Sequence, residues 1–291
     1  MRFLFAACFS ATLFVLIAEH SAESGRCGET DVCSAIKALE TKLEAKFEKL
    51  VALVTPPAVP ASSCKELYDK HNLRVNKAYV LQTDSGKIPV YCHMTSHGIG
   101  ACGGGGWTLV MKTDGSKATF HYNSPPWTNK NEFNLPGGKT GFDFQETKLL
   151  TYWNTPFSKI CLGMKIGQQI KFMVINWRAN SLYSLIADGR HRPTSLGRNT
   201  WKMLIGSGAS LQLNCNKEGF NAAGGAQGSS KARIGFLGNN EDNCHSPDSR
   251  IGFGTGGYHD DSNTCGNEAK EDASSDNGGK HIKAMGYILV Q

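Results

Sequence analysis

Residues 92–111, CHMTSHGIGACGGGGWTLVM, constrain the fold more than any other stretch of the chain. Four consecutive glycines, Gly103 to Gly106, lead straight into Trp107-Thr108-Leu109-Val110. Glycine alone takes positive φ and close backbone approach without steric cost, and Trp-Thr-Leu-Val is rich in strand formers. The pattern predicts a backbone-crowded turn feeding a buried strand that starts on a large aromatic anchor. Upstream, residues 78–82 and 88–92 are apolar runs joined by Thr83-Asp84-Ser85-Gly86-Lys87, a hairpin signal. Cys64 precedes the first run and Cys92 ends the second, so the two are well placed to be stapled across the hairpin.

This order of cysteine, hairpin, cysteine, glycine run and Trp-Thr-Leu-Val resembles the opening of the fibrinogen-related domain and, within that superfamily, the intelectins. The resemblance covers about residues 64–291. It implies an α+β fold, fibrinogen C-terminal-like or intelectin-like, with mostly antiparallel sheet and long irregular glycine-rich C-terminal loops.

Length and charge set bounds on the rest. A chain of 291 residues holds one large domain or two small ones. The net charge of +6 is modest, and without a long basic run or basic-aromatic interleaving it argues against nucleic acid as a partner. Residues 1–24 read as a cleaved secretory signal: Arg2, an apolar segment from Phe3 to Ala18, then small residues at Ala22 and Ser24. No later apolar run has membrane length, so a secreted, extracellular location is expected, with no membrane partner. Of ten cysteines, Cys8 leaves with the signal. The odd remainder implies a thiol that is free or bonded to another chain. Secretion makes disulfides the default.

Residues 34–54 carry Ile36, Leu39, Leu43, Leu50 and Leu53 at three- and four-residue steps, a short coiled-coil seam. Cys27 and Cys33 precede it, making 25–54 a cysteine-flanked coiled coil, and 55–63 is a proline-rich linker that holds it away from the main domain. A homo-oligomer is therefore expected. Ser63-Cys64-Lys65-Glu66 reads as a capping box that opens a short helix. Residues 112–160 read as loop-rich. Residues 170–177, 181–187, 210–215, 232–237 and 284–290 read as strands, within a C-terminal half that is otherwise irregular from 216 to 279.

That irregular part holds the candidate chemistry. Residues 239–276 contain nine acids against Arg250 and Lys270, a net −7, which leaves +13 for the remainder of the chain. Hard cations such as Ca²⁺ take several carboxylate and carbonyl oxygens on flexible loops. Two short acidic clusters tied by a Cys244–Cys265 bridge would supply them; Cys161–Cys215 is a further expected pair. The string also resembles the calcium and ligand region of the intelectin and fibrinogen-related family. That resemblance places Asn239, Glu241 and Asp242 on the cluster before the first cysteine and Asp261 on an acidic ligand beyond the aromatic Tyr258. Two departures stand out. Asp242 occupies the place of an imidazole, and residues 268–285 contain none of the aromatics that flank a sugar in intelectins.

Enzymatic readings have little to stand on. The histidines are scattered, and neither a His-Glu-x-x-His zinc motif nor a Gly-x-Ser-x-Gly elbow occurs. The 64–291 pattern looks like a cnidarian group of these domains that includes skeletal organic matrix components of stony corals. The sequence expectation is thus a secreted, non-enzymatic extracellular matrix protein with a structural Ca²⁺, whose possible partners are glycans, matrix proteins or mineral. The alternative is a soluble calcium-dependent carbohydrate-binding lectin of innate immunity.

Overall fold

The computed structural model describes residues 30–54, 60–83, 86–271 and 274–291. The expected signal segment, Cys27 and most of the linker lie outside them. The chain divides into two compact units, Met1–Ala58 and Val59–Gln291. The first is described by one helix, α1 (Thr30–Val54), a turn longer at its start than the seam predicts. Its Ile36, Leu39, Leu43 and Phe47 side chains are all exposed. No helix among the described residues is long and apolar enough to cross a membrane.

The second unit opens with α2 (Cys64–His71). Ser63 caps it, its hydroxyl accepting from the Glu66 N–H at 3.2 Å, while Glu66 reaches back to the N–H of Ser62 at 2.9 Å. That is a capping box closed one residue early. The strands follow in chain order: β1 (Lys77–Thr83), β2 (Gly86–His93), β3 (Trp107–Asp114), β4 (Thr147–Lys148), β5 (Phe157–Ile166), β6 (Gln169–Ala179), β7 (Arg192–Pro193), β8 (Asn214–Ala223), β9 (Lys231–Asn239), β10 (Ser249–Gly256), β11 (Cys265–Ala269), β12 (Lys280–Lys283) and β13 (Met285–Val290). Short helices α3 (Thr151–Asn154), α4 (Leu182–Ile186) and α5 (Arg198–Met203) lie between them. One sheet runs β1-β2-β3-β13-β5-β6, with β4 on β3; the other runs β12-β11-β10-β9-β8-β7. Every pairing between these strands is antiparallel.

The glycine run does what its composition requires. Gly103, Gly104 and Gly106 have positive φ. A Cβ on Gly105 would lie 2.3 Å from the Met94 carbonyl oxygen and 2.4 Å from the Tyr68 ring. Trp107 follows, fully buried, its indole N–H donating to Gly103 O at 2.9 Å. The central strands β3 and β13 of the first sheet are buried on both faces, which is why they read as unbroken apolar runs. Alternate residues of β13 split between two cores. Tyr287 and Leu289 join Trp107, Leu109 and Phe172 on one face. Ile288 and Val290 join Ile160, Phe220, Ile234 and Phe253 on the other, where the two sheets meet.

Several expectations are corrected. Residues 181–187 form α4 rather than a strand: Ser181 caps it, accepting from the Ser184 N–H at 3.2 Å, and Leu182, Leu185 and Ile186 are buried at helical spacing. Residues 210–212 are not strand, because side chains satisfy their backbone: Ser210 N–H donates to Asn267, Leu211 N–H to Asp276 and Gln212 N–H to Ser249. The loop-rich reading of 112–160 misses the start of β5. The stretch from 216 to 279 is not mainly irregular, since β8, β9, β10 and β11 run through it. There glycine serves packing. Gly235 and Gly252 face each other in register, and a Cβ on Gly254 would strike the Trp127 ring at 2.4 Å.

The disulfides of the Val59–Gln291 unit are Cys64–Cys92, Cys102–Cys161 and Cys215–Cys244. The hairpin staple is present. Cys244 does not pair with Cys265, nor Cys161 with Cys215. Cys265 opens β11 inside the core between the sheets and is fully buried, out of reach of the loop that carries Cys244. Cys161, on β5, is reached instead by Cys102 from the turn before the glycines. Within the Val59–Gln291 unit Cys265 is the free thiol.

Candidate functional site

The candidate site lies on two loops of the second sheet, residues 240–248 after β9 and 257–264 after β10. The second loop is built around Arg250 of β10, a fully buried cation. Its Nη1 donates to Tyr258 O at 2.7 Å, Gly257 O at 3.2 Å and Ser230 Oγ at 3.3 Å. Its Nη2 donates to Asp260 O at 2.5 Å and Asn263 O at 3.3 Å. Burial pulls the guanidinium down to about 10, opposed by the Glu268, Asp260 and Asp261 carboxylates. A guanidinium with five donors suits a loop whose carbonyls all turn inward. In the sequence Arg250 looks like an ordinary base in an acid-rich run, and nothing there marks it as the loop's anchor.

The fold of this loop leaves Tyr258 44% exposed at its tip. The Tyr258 ring meets His259 edge-on at 4.9 Å, and Lys270 Nζ lies 5.6 Å from its centroid. Beside it is a cleft of about 180 Å³, walled by residues 226–229, Ser246 and Asp248. Tyr258 N–H donates to Gly228 O at 2.6 Å, so the aromatic and the cleft wall are fixed to each other.

The four expected calcium ligands are not brought together. Asn239 is buried at the end of β9. Its Oδ1 accepts from Asn240 N–H at 3.0 Å and its Nδ2 donates to Asn243 O at 2.9 Å, so its amide closes its own loop. Glu241 and Asp242 are exposed on that loop. Asp261 Oδ1 accepts from Gly257 N–H and from His121 Nε2, the latter at 2.9 Å. Burial works to raise the Asp261 carboxyl, but the Gly257 N–H and the His121 ring outweigh it and hold it below the usual range. The acids of the set do not share one 4.8 Å cluster; among the described residues, the three acidic or imidazole groups that do are Asp260, Glu268 and His281. The physical reason is the disulfide pattern. The bridge that was to tie the two loops does not form, so the first loop is held to β8 through Cys215 instead.

No family model matches the chain. It is 28% identical over 158 residues to the fibrinogen beta chain of Petromyzon marinus, an alignment covering 50% of this chain and 29% of that protein. The alignment thus spans under a third of that relative's length. The Val59–Gln291 unit, with its antiparallel sheets and few helices, is compatible with a fibrinogen-like domain, and its three disulfides fit an extracellular one.

Proposed function

We propose that this is a secreted, non-enzymatic extracellular matrix protein, of the kind found in the skeletal organic matrix of stony corals. In it the fibrinogen-like Val59–Gln291 unit is displayed in several copies by the Thr30–Val54 helix. The observation that carries the reading is the pairing of a three-disulfide, fibrinogen-like unit with a helix whose apolar seam residues Ile36, Leu39 and Leu43, with Phe47 beside them, are exposed. An exposed seam at heptad spacing is stabilised by burial against a second copy.

A second reading, a lectin, is favoured by the cleft beside Tyr258. An exposed aromatic fixed next to polar walls is the kind of surface on which a sugar ring rests. One experiment separates the two: the purified secreted chain is applied to a glycan array and to insoluble matrix, with and without millimolar Ca²⁺. The matrix reading expects retention on matrix and no strong glycan hit in either condition. A strong calcium-dependent glycan signal that Tyr258→Ala removes overturns it in favour of the lectin.

A further inference from the structure

We infer that Asp260, Glu268 and His281 form a binding site for a divalent transition-metal ion, with Zn²⁺ the ion whose chemistry they fit. The site is assembled by sheet register. Glu268 on β11 lies directly opposite His281 on β12, so the two side chains form a cross-strand pair on one face. Asp260 is delivered to them by the loop that Arg250 anchors through the Asp260 carbonyl. One ligand atom from each of the three lies within 4.8 Å of the others.

The state of Glu268 points to a ligand. The residue is fully buried, and its Oε1 has no hydrogen-bond partner. His281 Nδ1 stands 2.6 Å from that oxygen, an ion pair when the imidazole is protonated but without hydrogen-bond geometry. The other oxygen, Oε2, accepts from Asn263 Nδ2 at 3.2 Å, which fixes the carboxylate with Oε1 turned toward the imidazole. A buried carboxylate oxygen left unsatisfied is costly, and a cation between it and the imidazole would satisfy it. Arg250 does not use up these oxygens, because its hydrogen bonds go to backbone carbonyls and the Ser230 hydroxyl.

The donor set selects the ion. Calcium and magnesium take oxygen ligands, whereas one imidazole nitrogen with two carboxylate oxygens suits zinc. Two carboxylates also neutralise a dication. Ligands of a tetrahedral zinc with bonds of about 2.0–2.1 Å sit roughly 3.3 Å apart. His281 must therefore draw back from Glu268 by less than about 1 Å. Its side chain is 53% exposed and lies on the edge strand of its sheet, so it is free to do so and leaves a path for entry. The His259 ring stacks on it at 5.8 Å without offering it a hydrogen bond.

The test is calorimetric titration of ZnCl₂ into the chelator-treated, dialysed full chain. Wild type should bind Zn²⁺ at one micromolar or tighter site per chain. His281→Ala should weaken that site by at least about tenfold, and Asp260→Asn should do the same. His259→Ala should change it little, and millimolar Ca²⁺ should not compete. Far-UV circular dichroism checks the fold, and His281→Gln repeats the measurement if the alanine variant is misfolded. Absence of a one-site isotherm in wild type, or a loss smaller than tenfold in the folded His281 variant, overturns the assignment.

Discussion

Cys265 and Glu218 show how burial decides what a reactive side chain does. Cys265 sits in the core, and burial pushes its thiol up to about 12. The thiolate is the nucleophile, so this cysteine should be inert in the native state. Iodoacetamide should leave the Cys265 peptide unlabelled in native protein and label it in guanidinium, as read by mass spectrometry; native labelling would contradict the core placement. Glu218 is the opposite case, a carboxylate made useful by its surroundings. It accepts from Thr194 Oγ1 at 2.6 Å, Trp201 Nε1 at 2.8 Å, Gly197 N at 2.9 Å and Leu196 N at 3.1 Å. Burial alone would raise its carboxyl, but these four donors together outweigh it and hold the group below the ordinary glutamate value of 4.5. A depressed carboxyl contributes stability that is present above the unfolded value and lost as pH falls through the folded one. Glu218→Ala should therefore cost about 3 kcal/mol at neutral pH, because it strands several donors. Glu218→Gln should lose less stability than wild type between pH 7 and about pH 3, measured by urea midpoints. Equal acid sensitivity of the two proteins would remove Glu218 from the account.

At the scale of elements, the Cys215–Cys244 bond joins the start of β8 to the loop after β9, a sequence separation of 29 residues. Closing a loop of that size contributes about 3.5 kcal/mol on the chain-entropy model. The double variant Cys215→Ser with Cys244→Ser should lose stability of that order in guanidinium titration, and amides of residues 240–247 should exchange faster while those of β13 do not. The same region shows what a sequence can and cannot disclose. The hairpin of β1 and β2, the Trp107 strand, β9 and β13 were legible, because their apolar runs are continuous and their turns carry glycine. β10 was not, since Gly252 and Gly254 resemble loop residues while they admit close packing of a neighbouring strand and of Trp127. α4 was hidden because five residues with a serine cap carry too little periodicity to separate helix from strand. In the candidate site, the acidic loops themselves could be read. Their disulfide tether could not, because pairing depends on which cysteine falls in the core. Arg250 and the Glu268–His281 pair depend on strand register, which no local pattern encodes.

At the scale of the molecule, two compact units divide the work. Val59–Gln291 holds three disulfides and the two large hydrophobic cores that lie against its sheets. Ala61, near its start, is 2% exposed, and its carbonyl accepts from Gln82 N–H at 2.8 Å, so the unit's own packing reaches back to within a few residues of its boundary. The Thr30–Val54 helix has no such support in its described side chains: Leu39 is 68% exposed and Leu43 57%. Most helical stability in proteins comes from packing an apolar face rather than from intrinsic propensity. Each leucine buried by a second copy contributes about 1.5–3 kcal/mol, enough over several seam positions to offset the entropy of association. Removal of residues 1–58 should therefore leave a folded monomer whose cooperative unfolding matches that of the intact chain, while the chain from residue 25 onward should sediment as an oligomer at micromolar concentration. Leu39→Glu with Leu43→Glu should dissociate that oligomer without moving the melting temperature of the Val59–Gln291 unit. Sedimentation of the intact chain as a monomer under reducing and non-reducing conditions alike would remove self-association from the proposal and leave the fibrinogen-like unit to act singly.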